Sequence, residues 1–320
     1  MSNANNWLAA EINDGAGIGE SRGLYEKVVE HDPLYTPAFN NLTFAYLQTR
    51  DLDKGDTLIR RVQRITGDSP SIHFARGAMA MASGELSTAV RELGVAYDFN
   101  TSASVVKLWY GAATYFIGDY ELSAVVSGDI DKLIPLELSG QHDKAVALVE
   151  EARNKLLNNG DWRGISDWYL LLDNAPGLIE FHEAYFDGRD DWAEIYPPPD
   201  QLWGAGAFTR LAIALRQVGR NDEADAVTER ARGFLDSQRT NGADNLFFWF
   251  SDAEFAAMTG DRARMLTSLR NAIDTGYIDV LGCATPAFEA FRGDARFIEL
   301  ESEMIRRANE EKRKLALLST

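Results

Sequence analysis

Small and apolar residues recur along this chain at the spacing of packed helices. Ala89, Leu93 and Ala96 fall at i, i+4 and i+7, one face of a helix with 3.6 residues per turn. The pattern also repeats at longer range. Arg50-Asp-Leu, Gly84-Glu-Leu and Gly118-Asp-Tyr follow one another at two equal intervals. Seven positions before each stand Thr43, Gly77 and Gly111, and five positions after each stand Gly55, Ala89 and Ser123. This register predicts helix hairpins. A glycine ends the first helix of a hairpin because it takes the left-handed conformation at little steric cost. Small residues on both helices let the backbones approach, and larger apolar residues fill the gaps beside them.

The interval and its residues resemble the tetratricopeptide repeat, a unit of about 34 residues with the pattern W-x2-L-G-x2-Y, then A-x3-F, then P. On that resemblance Thr36 opens one unit, with Phe39, Leu42, Thr43 and Tyr46 on helix A and Gly55, Ile59 and Val62 on helix B. Tyr25, Val28 and Pro33 look like the second helix of an earlier unit. Gly140 heads Ala145, Val149 and Ala152; Gly219 heads Ala224 and Ala231; Gly260 heads Leu269 and Ala272, with Trp249 at the tryptophan position. The implied fold is all-α, a right-handed superhelix of about six antiparallel helix pairs. Its irregular middle separates repeats at 1–156 from repeats at 205–320. Gly140 follows Gly118 well short of a full period, which shortens the helix pair around Ser127-Gly128-Asp129. The interval from Gly140 to Gly219 exceeds two periods and leaves room for an additional irregular hairpin. Within it 157–204, with Pro197-Pro198-Pro199, reads as an insertion or seam.

Residues 286–300, with Pro286, Phe288, Phe291, Arg292, Asp294, Arg296, Phe297 and Leu300, resemble a segment that closes the tetratricopeptide regions of bacterial signalling proteins, among them winged-helix activators and class III nucleotide cyclases. Phe291 and Ala295 depart from the Leu and Pro of that segment. Met304 to Leu318 then reads as a charged helix that caps the last apolar face. The resemblance implies a regulatory or protein-binding module, either cytoplasmic or, as part of a membrane-anchored regulator, periplasmic. Ser2-Asn3-Ala4 matches the scar of a cleavable purification tag as well as it matches a native start.

Composition narrows the partners. Of 320 residues, 32 are Lys or Arg and 49 are Asp or Glu, a net charge of −17. Such a chain has no basic surplus for neutralising nucleic-acid phosphates, so none is expected as partner. One cysteine, Cys283, excludes an internal disulfide and any Cys-rich metal site. The apolar stretch 108–118 is well short of a membrane span, and no secretory leader opens the sequence.

The search for chemistry finds little that converges. His31, His73, His142 and His182 are scattered without metal spacing, and His73 and His142 fall at packing positions of the repeat. No cofactor or metal is expected. Gly15-Ala-Gly17-Ile-Gly19 lacks the rest of a phosphate loop and reads as an inter-helix turn. The rival to a binding module is a helical carbohydrate-active enzyme. It would use Glu180, His182, Glu183, Asp187, Asp190, Asp191 and Glu194 beside Trp192 and Trp203, since paired carboxylates and tryptophans serve glycoside hydrolysis. The alternative is a solvated acidic loop.

Repeat phases give a sharper candidate. In tetratricopeptide arrays helix A positions 5, 9 and 12 face the concave side. The matching residues are Asn40, Phe44 and Leu47, then Phe74, Ala78 and Met81, then Leu108, Ala112 and Tyr115. Asn40 and Phe44 replace the Lys and Asn of the carboxylate-clamp subtype. The rest predicts an apolar, aromatic groove for a peptide or helix, with basic flanks to suit the acidic chain. The same side chains would serve equally to pack neighbouring helices or a chain end folded into the groove.

Overall fold

The computed structural model describes residues 18–128, 130–154, 157, 159–186 and 206–318, and among them every regular element is helical. In chain order these are α1 (Ile18–His31), α2 (Thr36–Gln48), α3 (Leu52–Thr66), α4 (Pro70–Ala82), α5 (Leu86–Phe99), α6 (Ser104–Phe116), α7 (Tyr120–Val126), a 3-10 turn (Ile130–Lys132) and α8 (Leu133–Leu138). Then follow α9 (His142–Ala152), α10 (Asn159–Leu171), α11 (Ala175–Phe186), α12 (Gly206–Gln217), α13 (Asn221–Thr240), α14 (Leu246–Met258), α15 (Arg262–Asp274), a second 3-10 turn (Pro286–Phe291) and α16 (Ala295–Leu318). The hairpins of the regular repeat are α2–α3, α4–α5 and α6–α7. The first element of the closing segment is a 3-10 turn and the second is the start of α16.

One turn chemistry joins the hairpins. Arg50, Gly84 and Gly118 all have positive φ, at 55°, 72° and 76°, and Gly140, Gly219 and Gly260 repeat the conformation. At each the residue after the turn donates its N–H back to a carbonyl five positions earlier, as from Glu85 to Ala80 and from Asp119 to Thr114. That bond satisfies an orphan carbonyl at the helix end. Within hairpins the small residues lie where the helices touch. A Cβ on Gly77 would sit 2.5 Å from Leu93, and one on Gly111 within 3.0 Å of the Ser127 backbone. Thr43, Gly55, Ala89 and Ser123 are buried, as are Ala145, Val149, Ala224, Ala231, Leu269 and Ala272. The shortened pair expected near residue 128 is α7 and α8, of seven and six residues. The additional hairpin is α10–α11, turned at Asp173 with φ of 52°. Gly19 lies in the first turn of α1 rather than in an inter-helix turn; Gly15 and Gly17 lie outside the described residues.

The helix array curls until its later helices fill the concave side of its earlier ones. Helix α14, LFFWFSDAEFAAM, is apolar on nearly every side, which suits only a helix enclosed all round. Its Phe247 ring lies 6.0 Å from Trp109 and 6.4 Å from Phe116 on α6. Burying each such ring contributes about 1.5–3 kcal/mol. Backbone groups cross the same boundary. The Asp244 N–H donates to the Gln48 carbonyl at 2.8 Å, the Val280 N–H to Phe116 at 3.2 Å, and the Arg50 guanidinium to the Asp274 carbonyl at 2.6 Å. Helix α16 closes the other side against α5. There the Glu311 carboxylate accepts from the Ser87 N–H at 2.9 Å and hydroxyl at 2.7 Å, and Lys312 donates to the Gly118 carbonyl at 3.0 Å. Burial opposes the charge on Glu311, but hydrogen bonds from Lys314 and Ser87 hold its carboxyl below its usual range.

Candidate functional site

The curl leaves a large cavity of ≈ 440 Å³ on the concave side, enclosed by α6, α7, α8, α10, α12, α14 and the segment 277–289. That volume is in the usual range for ligand pockets. Leu108, Ala112 and Tyr115, successive inward positions of α6, form part of its wall. The other expected groove residues do not reach it. Leu47, Phe74, Ala78 and Met81 are buried in the core, and Phe44 packs at ring-centroid distances of 5.7 Å from Phe74 and 5.6 Å from Trp109. Asn40 is half-buried and lies away from the cavity lining. The continuous groove expected from Phe44 to Tyr115 is therefore divided. The physical reason is α14, whose Phe247 completes the cluster with Trp109. Repeat phase marks which residues face the concave side; it does not say whether ligand or the chain itself covers them.

Sequence reasoning missed the charged groups that give the cavity its chemistry. Arg210 on α12 is buried between two carboxylates. Its guanidinium bonds Glu254 on α14 through two contacts of 3.2 and 3.0 Å, donates to the Gly206 carbonyl at 3.0 Å, and is hydrogen-bonded to Asp167 on α10. Burial works against the charge, yet Asp167 and Glu254 offset it and hold the guanidinium above its ordinary pKa. Glu254 is shifted up by its own burial, with Arg210 and Arg163 opposing. Arg163, one turn before Asp167, lies 3.6 Å from that carboxylate. A signal was available: Arg210 and Glu254 are ionisable residues set within GAFTRLAIAL and LFFWFSDAEFAAM, where nearly every neighbour reads as core.

Asp279 also lines this cavity. It is 3% exposed, and among the described residues its carboxylate accepts one hydrogen bond, from the Leu281 N–H at 2.9 Å. Burial pushes its pKa up to about 7, with Arg163 pulling down and Asp167 pushing up. Beside it Tyr277 stacks on Phe250, with centroids 4.0 Å apart and planes at 11°. Burial, followed by the nearby Asp279, raises the phenols of both Tyr277 and Tyr115 well above 10, so both stay neutral. Asp131, Asp173 and Glu289 are exposed at the rim.

The acidic middle region gives no comparable convergence among the described residues. Glu180 and Glu183 are exposed, and Glu183 pairs with Arg220. His182 is largely buried against Trp162, and burial lowers its pKa to about 4. Asp187, Asp190, Asp191, Trp192, Glu194 and Trp203 lie outside the described residues. His73 stacks on Phe99 and meets Glu92 at 2.8 Å; His142 stacks on Trp168 and meets Glu137 at 2.9 Å. Among the described residues no group of three or more His, Cys, Asp or Glu is arranged to hold a metal ion. No described helix is long and apolar enough to cross a membrane.

No protein-family profile matches the chain, and no curated protein matches it in sequence. Solved structures similar to it include the APC/C hetero-tetramer Cut9–Hcn1, at a TM-score of 0.44 and 10% identity over 96% of this chain. This chain covers 58% of that one. A tetratricopeptide repeat protein from Parabacteroides merdae matches at 0.38 and 12%, over 96% of this chain and 98% of that chain. A human IFIT1 dimer with m7Gppp-AAAA matches at 0.45 and 12%, over 99% and 77%.

Proposed function

We propose that this chain is a protein-binding module of the tetratricopeptide type, acting within a regulatory or signalling assembly, and that it grips a partner segment at the concave cavity. The observation that carries this reading is the cavity of ≈ 440 Å³ walled by Leu108, Ala112 and Tyr115, a stretch of the inward repeat surface that α14 leaves uncovered. Peptide-binding helix arrays use this side of the fold. The exposed carboxylates at the rim and the net charge of −17 favour a partner with basic flanks and disfavour nucleic acid.

A purely binding role also fits the chemistry. Asp167 and Glu254 are both committed to Arg210, which leaves Asp279 without a free second carboxylate beside it for acid–base work among the described residues.

The test is an array of immobilised peptides of graded charge, probed with the wild-type chain and with Tyr115→Ala at two salt concentrations. Basic peptides should be retained, more weakly at high salt, and lost in the variant while its helical circular dichroism is unchanged. Equal retention by the variant, or a preference for acidic peptides, overturns the reading.

A further inference from the structure

Two polar residues of the cavity lining are unlike the rest. Most of its charges already have partners: Arg210 answers Glu254, Arg163 lies beside Asp167, and Glu289 at the rim lies 3.7 Å from Arg292. Among the described residues Asp279 has no cation within ion-pairing distance, only the Leu281 N–H, although it is 3% exposed. A second polar group faces the same space. Tyr277 is also 3% exposed and lines the cavity, yet its hydroxyl has no hydrogen-bond partner among the described residues. Both groups thus turn unused hydrogen-bonding capacity toward the cavity rather than toward the protein.

The sign of a ligand there follows from the lining. Six carboxylates (Asp131, Asp167, Asp173, Glu254, Asp279 and Glu289) face two guanidiniums, Arg163 and Arg210, a formal charge of −4. A low-dielectric funnel with exposed acidic groups at its mouth concentrates cations. An anion would meet the Asp279 carboxylate, which has no cation within ion-pairing distance among the described residues. A neutral apolar group would leave Asp279 and Tyr277 unsatisfied and remove their remaining access to water.

We infer that the cavity binds a cationic nitrogen group on an alkyl chain, an alkylammonium or guanidinium, with Asp279 as its counter-ion and the Tyr277 oxygen as a second acceptor. This rests on the cavity being the ligand site. The same chemistry is carried by a lysine or arginine side chain of a partner and by a free small amine. In either case the alkyl stem lies along Leu108, Ile134 and Ile213, which also line the cavity. Binding should strengthen as Asp279 ionises. The groups acting on it are Arg163 and Asp167 of α10, Tyr115 of α6, Tyr120 of α7, and Tyr277 and Cys283 of its own segment. Burial and Asp279 lift the tyrosines, and burial lifts the thiol, so these groups stay neutral.

The experiment is equilibrium titration of the whole chain at low salt with four probes. These are N-acetyl-lysine methylamide, N-acetyl-arginine methylamide, 1,5-diaminopentane and the neutral N-acetyl-norleucine methylamide. At pH 8 at least one cationic probe should bind roughly tenfold more tightly than norleucine, the difference one charge-assisted contact makes. Preference for the amino-acid probes assigns the site to a partner's side chain, and preference for the diamine assigns it to a free amine. Asp279→Asn should weaken cation binding by about tenfold and Tyr277→Phe by roughly threefold or more. The wild-type affinity should fall between pH 8 and 5.5, while that of Asp279→Asn stays level. Equal binding of norleucine, an unchanged affinity in Asp279→Asn, or no binding of any cation overturns the inference. If array peptides need Tyr115 but tolerate lysine-to-norleucine exchange, this inference falls and the binding-module reading stands. Peptides indifferent to Tyr115 remove the peptide-binding reading and leave the cation site to be decided by the four probes.

Discussion

Replacing Gly276 with alanine should loosen the seam between the two ends of the chain and disturb the cavity together. Gly276 follows α15 with φ of 98°, and its Cα lies 3.4 Å from where a Cβ on Gly84 would stand. A Cβ on Gly276 itself would lie 2.5 Å from the Met81 carbonyl oxygen, 2.6 Å from the Gly84 nitrogen and 2.8 Å from the Ala82 carbonyl carbon. All three are backbone atoms of the α4–α5 turn, so no side chain can swing aside. The left-handed backbone alone costs alanine about 1–2 kcal/mol. Forcing the turn and the 276–279 segment apart adds the cost of overpacking, about 1–3 kcal/mol. The two together come to about 2–5 kcal/mol. Gly260→Ala is the control, because it has φ of 77° and nothing within 4 Å of its Cβ position, so only the backbone cost applies. With an unfolding entropy of about 2.1 cal/mol/K per residue over 320 residues, each kcal/mol moves Tm by about 1.5 °C. Scanning calorimetry should show a fall of about 3–8 °C for Gly276→Ala against about 1.5–3 °C for Gly260→Ala. Because Tyr277 and Asp279 follow Gly276 closely, the first variant should also lose affinity for any cavity ligand. Equal Tm losses in the two variants would refute the backbone contact at this seam.

Asp279→Asn should change the pH dependence of stability in a defined direction. The folded carboxyl titrates near 7 rather than at 3.8, so the folded state holds its proton more tightly than the unfolded state. Wild-type stability is therefore favoured at low pH and declines as pH rises from about 4 to 7, by up to about 4 kcal/mol. Denaturation should find the variant close to wild type at pH 4 and more stable at pH 8; a constant difference at all pH values would count against a buried Asp279. Arg210→Ala leaves Glu254 buried without its bidentate partner and should cost about 3–5 kcal/mol in urea unfolding; a loss under about 1 kcal/mol would mean the pair is solvated. Phe74→Ala should cost about 3–5 kcal/mol of stability, as a core truncation does, and have little direct effect on a cavity ligand. Selective loss of binding with unchanged stability would return Phe74 to the ligand surface.

The repeat was legible because its cause is local. Gly84 and Gly118 mark turns with positive φ, and Gly77 and Gly111 mark close helix approach; both are requirements of a single hairpin, written within one repeat. The closure of the array has no such signature. Phe44 and Phe74 carry the phase of a concave surface, and that phase is the same whether a foreign peptide or α14 lies upon it. The cavity groups were hidden for a related reason. Arg210, Glu254 and Asp279 come from three separate segments, and only the curl brings them together. For Arg210 and Glu254 the sole local trace is a charge in a run that otherwise reads as core. Asp279, in the segment between α15 and the closing 3-10 turn, has not even that.

The bond between Ser87 and Glu311 joins residues separated by 224 positions, as does that between Arg50 and Asp274. An open helical array has only neighbour-to-neighbour interfaces, so its units can form and melt semi-independently from either end. Tying the last helix onto an early pair converts that one-dimensional chain of equilibria into a loop. Opening the array at α16 now requires breaking its contacts with α5 as well as those with α15. Early hairpins can form quickly from local contacts, but their seam with α14 and α16 must wait until most of the chain has been synthesised and ordered. Removing α16 would expose the α5 face and leave the contacts of α14 and of 274–280 as the remaining tie.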